Sequence, residues 1–489
     1  MVSASLFRVL GLLLIVFAGL ECLPLALALD EGESLAAAGF SLGAGAALFV
    51  GVALFIVGRD AGRGVDRRQA LALTVLAWVS LALFGAIPIA YSSGVEKYTG
   101  AVFEAMSGLT TTGLSIFADP GIIERSIVLW RAILQYLGGF GTLLFAVALA
   151  PSLAMPTDVV AEVGRRRGQG SFRPQFAQAL KIVAISYVTL TTFCLVALLL
   201  SGLPPFLALC YALTTLSTGG FVPNTGGPSG LGNAMVEIVL IVFMMAGAMN
   251  FLVHWAALNG QRRVYRCDPE LGFWLVLLSV SVAVLWLVQI AAGSPGSMAG
   301  LRDTVFFVVS AATTTGFPSQ TSTVATSVFG LMLLAGLALI GGASASTAGG
   351  VKLVRALLLL RQSARELRRL NHPHGIVPVK VGRAAVDDKV MQTVWSFFVL
   401  FLFCLILLTI TLSATGLHFE TALALALSAL TNSGPLLSQV TEVKADLADL
   451  GTVAKWLLLT GMLVGRLEVF AVLVLLTPVF WQRRALEKP

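Results

Sequence analysis

Charge is what this sequence has least of. Asp, Glu, Lys and Arg make up 12% of its 489 residues, against about 25% in ordinary soluble domains. A mean hydropathy of +0.90 leaves little room for a soluble enzyme domain. Histidine is equally scarce, with four in the chain. No HExxH and no CxxC occurs, so a metalloenzyme centre has no support. Of the five cysteines, Cys22, Cys194, Cys210, Cys267 and Cys404, most sit in or beside apolar runs, and they read as small buried hydrophobes. No glycine-rich stretch is followed by GK[ST], so no nucleotide loop is present.

What the sequence has in abundance is apolar runs of crossing length. A bilayer core of about 30 Å needs about 20 apolar residues of helix. Such runs lie at about 7–29, 35–57, 69–91, 124–150, 174–201, 231–258, 269–293, 326–360, 389–414 and 453–480. The net charge of +7 is not spread as a nucleic-acid surface would be. It is gathered after even-numbered runs: Arg59, Arg63, Arg67 and Arg68; Arg165, Arg166, Arg167 and Arg173; Arg262, Arg263 and Arg266; Arg361, Arg365, Arg368 and Arg369; Arg483 and Arg484. The other connections are nearly free of Lys and Arg, and Asp30 to Ser34 carries three acids. The positive-inside rule then places both termini and every arginine cluster in the cytoplasm, with ten crossings. At the N-terminus, Ala26-Leu27-Ala28 also resembles a signal-peptidase site. Against cleavage, Val9 to Leu29 is itself long enough to span.

The connections after the third, fifth, seventh and ninth runs each hold a stretch too short to cross: Tyr98–Leu109, Pro205–Leu216, Leu301–Ala312 and Phe419–Leu430. About 12 helical residues reach about 18 Å, so these read as re-entrant half-helices. Irregular backbone at membrane depth survives only where protein buries it or a wet cavity adjoins it. Each half-helix runs into a polar turn: Thr110-Thr111-Thr112-Gly113, Ser217-Thr218-Gly219-Gly220, Thr313-Thr314-Thr315-Gly316 and Thr431-Asn432-Ser433-Gly434. One such glycine alone reads as a helix C-cap. Four at the same place in a repeat of about a hundred residues read as one filter. A dehydrated cation needs several oxygens at once, which rings of backbone carbonyls supply. The negative ends of four half-helices favour a cation there. The filter residues are therefore Thr111, Thr112, Gly113, Thr218, Gly219, Gly220, Thr314, Thr315, Gly316, Asn432, Ser433 and Gly434.

The eighth run is interrupted by Gly341-Gly342-Ala343-Ser344-Ala345-Ser346-Thr347-Ala348-Gly349-Gly350, a poor helix interior. Alone it reads as a kink, a small-residue packing face, or an irregular loop beneath the filter. Lys352 and Arg355 mark the cytoplasmic end of this broken run. Arg466 falls about 13 residues into the last run, near mid-bilayer at about 1.5 Å per residue. A mid-membrane arginine costs about 2.5–3.5 kcal/mol or more and needs an interior partner. Glu468 and loop carbonyls are the candidates for a structural pair; a charge beside the pore that limits flow or latches the loop is the functional alternative.

These motifs resemble the TrkH/TrkG family of potassium uptake proteins, within the superfamily that also holds KtrB. Trp130-Arg131 through Gln135-Tyr136-Leu137-Gly138-Gly139-Phe140-Gly141 is similar to the family's WR…QWLGGMG segment, and Gly465-Arg466-Leu467-Glu468-Val469-Phe470 to its GRLE(I/V)F. The two runs before the first membrane-pore-membrane repeat also fit that family. The resemblance implies potassium as substrate, with all four ring glycines favouring it over sodium; a sodium-permeable relative is the rival. It implies a gate built from Gly341, Gly342, Ser346, Thr347, Gly349, Gly350 and Arg466. It also implies a bacterial inner-membrane location, a homodimer, and a cytosolic TrkA-like subunit that binds nucleotides; this chain itself binds no cofactor. Phe221-Val222-Pro223-Asn224 departs from the family's STHD-like run. Gly434-Pro435-Leu436 lacks a second glycine, and Ala345 replaces a usual glycine, which stiffens the loop.

The expected fold is an all-α integral membrane protein: two N-terminal transmembrane helices, then four membrane-pore-membrane repeats around a central ion pore. The units are 1–60, 61–160, 161–262, 263–372 and 373–489. An organic-solute carrier would show inverted repeats, and an enzyme a convergent nucleophile or metal set; neither is present in the sequence.

Overall fold

The computed structural model describes residues 4–59, 67–92, 97–117, 119–148, 172–294, 296–317, 328–372, 378–381, 384–434 and 447–467. Among these the chain is helical apart from one short antiparallel pair, β1 (Lys380–Val381) with β2 (Ala384–Ala385), in which Lys380 faces Ala385.

The chain opens with a helical hairpin, α1 (Ala4–Asp30) and α2 (Ser34–Val57). Next come α3 (Arg67–Ala90), the short α4 (Tyr98–Leu109) and α5 (Arg125–Ala148). Trp130 on α5 is fully buried and ties these units together. Its ring lies 5.2 Å from Phe17 and 6.0 Å from Phe40, and its Nε1 donates to the Gly85 carbonyl at 3.0 Å. Then follow α6 (Phe172–Leu200), the short α7 (Pro205–Leu216), α8 (Ala234–Ala248) and α9 (Phe251–Leu258). The third stretch holds α10 (Pro269–Ala291), α11 (Met298–Ala312), α12 (Val328–Ile340) and α13 (Leu353–Asn371). The last holds α14 (Asp388–Ser413), the short α15 (Phe419–Thr431) and α16 (Thr452–Arg466).

Side-chain caps set several helix starts, each satisfying a backbone N–H that no helical carbonyl reaches. Asn233, Asn250, Asp268 and Asp387 each accept from the N–H two residues on, and Pro269 opens α10 where a missing N–H costs nothing. Ser297 accepts from the Gly300 N–H at 3.1 Å, which starts α11 three residues ahead of the expected Leu301.

Seven helices among the described residues are long and apolar enough to cross a membrane. Two expected crossings differ. The sixth run is not one helix: α8 and α9 meet at a bend of 101°. No proline lies at the break; Asn250 caps α9, and the freed backbone groups pair with the segment 341–352 instead. Ala343 N–H donates to the Ala248 carbonyl at 2.9 Å, Thr347 N–H to Gly247 at 3.2 Å, and Phe251 N–H to Ala345 at 3.0 Å. The eighth run breaks at that segment, and its second half continues to Asn371 as an amphipathic helix with Leu353, Val354, Leu357 and Leu358 buried. Of the expected tenth crossing, α16 is described and residues 468–480 lie outside. So do Arg63, Arg165, Arg166, Arg167, Arg483, Arg484, Pro435, Leu436, Glu468, Val469 and Phe470.

The four short helices sit inside the assembly. Every residue of α4 from Gly100 to Leu109 is buried, as are most of α7, α11 and α15. Glycines on neighbouring helices admit their last carbonyls. A Cβ at Gly138 would lie 1.9 Å from the Leu109 oxygen, and one at Gly465 would lie 2.2 Å from the Leu430 oxygen. Small residues at such crossings let backbones approach in lipid.

Candidate functional site

Each short helix ends in the same backbone figure. The residue two before the turn glycine adopts the left-handed region: Thr111 at φ 51°, Thr218 at 52°, Thr314 at 55° and Asn432 at 50°. The glycine does so too, at 79° for Gly113, 80° for Gly220, 71° for Gly316 and 73° for Gly434. The residue between them donates its N–H to the carbonyl five residues back. Those bonds are Thr112 to Ser107 at 2.9 Å, Gly219 to Thr214 at 2.9 Å, Thr315 to Ser310 at 3.0 Å and Ser433 to Ser428 at 3.2 Å. Threonine rarely adopts a positive φ. Three threonines and an asparagine doing so in register show that the surrounding structure over-determines each turn.

The turns touch in cyclic order. A Cβ on Gly113 would lie 2.2 Å from the carbonyl oxygen of Gly219, and one on Gly220 would lie 2.1 Å from that of Thr315. One on Gly316 would lie 2.0 Å from that of Ser433. One on Gly434 would lie 3.2 Å from that of Thr112, which closes the circle. Each ring glycine thus packs on the middle carbonyl of the next turn, and no larger residue fits the first three places unchanged. All twelve residues singled out in the turns are buried and brought together. Because each turn starts at a helix C-terminus, four partial negative charges converge on the ring.

The turns differ in how their flanks are tied. In three of them the hydroxyls on either side of the left-handed residue bond at 2.8 Å: Thr110 with Thr112, Thr313 with Thr315, and Thr431 with Ser433. The second turn has Gly219 there, and Gln135 of α5 fills the space. Its Nε2 donates to the Gly219 carbonyl at 2.6 Å and its Oε1 accepts from Phe221 N–H at 3.3 Å. In the fourth turn Asn432 Nδ2 donates to Thr112 Oγ1 at 2.8 Å and to the Met462 carbonyl at 3.1 Å.

Behind the first turn lies a buried ion pair. Arg131 Nε donates to Glu104 Oε1 at 2.7 Å, and the side chains are 2% and 0% exposed. Such a pair needs further hydrogen bonds to offset desolvation. Ser115 Oγ and Ile116 N–H donate to Glu104, each at 2.9 Å, and Arg131 Nη2 donates to Ser115 at 2.9 Å. The Phe221 ring, at the departure noted in sequence, stacks on Arg131 with 4.1 Å between Cζ and centroid. Farther out, Asp119 accepts from Thr225 Oγ1 at 2.6 Å and from Gly121 N–H at 2.8 Å. These bonds, that of Thr225 foremost, hold its carboxyl below the usual range.

The segment between α12 and α13 is seated against one side of this ring. Gly349 N–H donates to Thr314 Oγ1 at 2.7 Å, and Gly350 N–H to the Thr431 carbonyl at 3.1 Å. Thr347 Oγ1 bonds the carbonyls of Leu216 at 3.0 Å and Gly247 at 2.8 Å. A Cβ on Gly349 would lie 1.9 Å from the Thr431 oxygen, so only glycine permits this approach. Gly341 crosses Gly349, Gly342 accepts from Leu353 N–H at 3.0 Å, and Ser346 Oγ donates to Ala343 at 2.6 Å. Glu270 of α10 accepts from Ser344 N–H at 2.8 Å. Ala345 sits at φ 52°, so its side chain adds strain as well as stiffness. Arg466 is 4% exposed. Its Nη1 donates to the Thr347 carbonyl at 2.8 Å and its Nε to Thr142 Oγ1 at 2.6 Å. A cavity of about 30 Å³, room for about one water, lies between Asn432, Gly349, Gly350 and Arg466.

Sequence reasoning missed Glu104, Thr142, Gly247 and Glu270 altogether, and had Gln135 and Arg131 only as letters in a motif. A signal existed for Glu104, an acid inside an apolar half-helix. Another existed for Gln135, since Gly219 stands where the other turns carry a hydroxyl.

Comparison with known proteins places the chain among membrane transporters. The family of TrkH cation transport proteins matches residues 44–483. The Trk system potassium uptake protein TrkH of Salmonella typhimurium is 34% identical, over 98% of this chain and 99% of its own. That of Halomonas elongata is 33% identical with the same coverage. The crystal structure of the potassium transporter TrkH from Vibrio parahaemolyticus superposes with a TM-score of 0.88 at 31% identity, covering 98% of this chain and 99% of that one.

Proposed function

The chain belongs to the TrkH family of cation transport proteins, and from that premise we propose how it acts: potassium ions pass through the ring of four turns, and the segment 341–352 governs the path beneath. It is a multi-pass membrane transporter and not an enzyme, with potassium as its transported substrate.

The observation that carries the filter assignment is the cyclic contact of Gly113, Gly220, Gly316 and Gly434 with the next turn's middle carbonyl. A ring held that way keeps its carbonyls at fixed spacing, which suits replacement of a hydration shell by backbone oxygens. In this reading Thr111, Thr112, Gly113, Thr218, Gly219, Gly220, Thr314, Thr315, Gly316, Asn432, Ser433 and Gly434 form the potassium site. The units 61–160, 161–262, 263–372 and 373–489 are its four repeats, preceded by the hairpin of 1–60.

The obstruction is the loop with Gly341, Gly342, Ser346, Thr347, Gly349 and Gly350, latched by Arg466. Its N–H groups and the Thr347 hydroxyl occupy carbonyls at the inner ends of α7 and α15, where a leaving cation would find its next oxygens. In this reading the loop, bonded as it is to Thr314, Thr431 and Leu216, obstructs the path. Opening requires the loop to release Thr314, Thr431, Leu216 and Gly247, and Arg466 to release Thr347.

The proposal extends to a bacterial inner membrane, both termini cytoplasmic, a homodimer and a cytosolic TrkA-like nucleotide-binding subunit, on the charge pattern and the family resemblance. Inside-negative potential drives uptake with about 2.3 kcal/mol per 100 mV. The test is tracer flux into proteoliposomes under such a potential. Rubidium and potassium enter well above sodium if the reading holds; equal sodium entry identifies the sodium-permeable relative instead.

A further inference from the structure

We propose that Gln135 is a positioning residue for ion discrimination, standing in at the second turn for the hydroxyl that Gly219 lacks. This rests on reading the four turns as the ion-selecting ring.

The ring is fourfold in backbone but not in side chains. In three turns a pair of hydroxyls 2.8 Å apart braces the left-handed residue from both sides. The second turn has Ser217 on one side, whose Oγ bonds back into its own helix at Leu213. On the other side it has no side chain at all. A Cβ on Gly219 would lie 2.3 Å from Gln135 Cδ, so the two positions share one volume, and the glutamine holds it. Gln135 is fully buried, and both ends of its amide are used. One end binds the Gly219 carbonyl and the other the Phe221 N–H, on either side of Gly220.

The carbonyl it binds matters to more than the second turn. Gly219 oxygen is the atom on which Gly113 packs, with only 2.2 Å available to a Cβ. Gln135 therefore sets the spacing between the first and second quarters of the ring. Arg131, one helical turn earlier on α5, holds Glu104 behind the first turn and the Phe221 ring beyond the second. One face of α5, presenting residues i and i+4, thus supports half the ring.

Removing the amide leaves a buried carbonyl and a buried N–H without partners, and such groups move to find others. The carbonyl then leaves its place in the ring while the helices stay packed.

The experiment compares Gln135→Ala, Gln135→Met, Gly219→Ser and the double variant Gln135→Ala/Gly219→Ser in proteoliposomes. It reads the rubidium-to-sodium flux ratio and, separately, the thermal unfolding midpoint. Gln135→Met keeps the volume and loses the hydrogen bonds. Both Gln135 variants are expected to lower the ratio about tenfold, the effect of one hydrogen bond worth about 1.4 kcal/mol. Gly219→Ser alone collides with Gln135 and lowers the ratio too. In the double variant the space is free, and a serine hydroxyl at position 219 pairs with Ser217 as in the other turns. The ratio then recovers to within about threefold of wild type. A wild-type ratio in Gln135→Met, or a double variant no better than Gln135→Ala, overturns the proposal. Gly113→Ser is run alongside: if it leaves the ratio unchanged, the ring reading itself falls and the proposal with it; if it lowers the ratio while Gln135→Met does not, only the role of Gln135 is lost.

Discussion

The four turns and the loop 341–352 are both irregular, glycine-rich backbone buried within the helices, yet they are held in opposite ways. Each turn is anchored first to its own helix, through the bond from Thr112, Gly219, Thr315 or Ser433 to the carbonyl five residues back. The loop bonds mainly to groups borrowed from elsewhere: Thr314, Thr431, Leu216, Gly247, Ala248 and Arg466. A locally anchored turn keeps its bond to its own helix when a neighbour moves, and neighbours such as Gln135 only trim the position of its ring carbonyl. A loop on borrowed partners can leave as a unit, because only the contacts across its boundary must break. Under the proposed function, the contrast fits a constant filter and a moving gate.

The sharpest way to break that contrast is to remove the loop and keep the turns. Val351 N–H already donates to Leu339 at 2.8 Å and Lys352 N–H to Ile340 at 2.9 Å. Excising 341–350 therefore rejoins ends that are already neighbours. Potassium flux in proteoliposomes is expected to rise by about tenfold or more, the population shift expected when a state favoured by at least about 1.4 kcal/mol is abolished. Unchanged flux would remove the loop as the gate. Gly113→Ser attacks the other side of the comparison. It puts a Cβ 2.2 Å from the Gly219 oxygen at a φ of 79°, and strain of about 1–3 kcal/mol is expected to cut the rubidium-to-sodium ratio about tenfold. Arg466→Gln removes one charged latch among several loop contacts. A charge-assisted bond of about 1.5–3 kcal/mol, partly replaced by the glutamine amide, is expected to raise flux about fivefold with the selectivity ratio unchanged. Ala345→Gly is the smallest test. Relief of a left-handed alanine, about 1–2 kcal/mol, is offset by the freedom glycine gains in a released loop, about 0.5–1 kcal/mol. Flux is expected to fall about twofold; a rise would show that the strain is not relieved in the obstructed state.

Local features were legible in the sequence. The bounds of α4 and α7 are those read from Tyr98–Leu109 and Pro205–Leu216, because an apolar run between turn residues has few other solutions. The break at 341–352 was visible because glycine and serine interrupt an apolar run. The break between α8 and α9 was not: Met244 to Trp255 is apolar but for Asn250 and His254, with no proline. The pairing that holds it open comes from a loop about a hundred residues away. For Gln135 the missing hydroxyl at Gly219 marked a gap but not what fills it, the two being 84 residues apart. For Arg466, loop carbonyls were among the expected partners and Thr347 supplies one; Glu468 lies outside the described residues. Long-range pairings of this kind follow from helix packing, and no local pattern encodes them.

The most direct measurement is potassium, rubidium and sodium flux through the purified wild-type chain in proteoliposomes held at an inside-negative potential. The account predicts potassium and rubidium entry well above sodium, with the preference reduced in Gly113→Ser. Equal entry of sodium and potassium through the wild-type chain would contradict it.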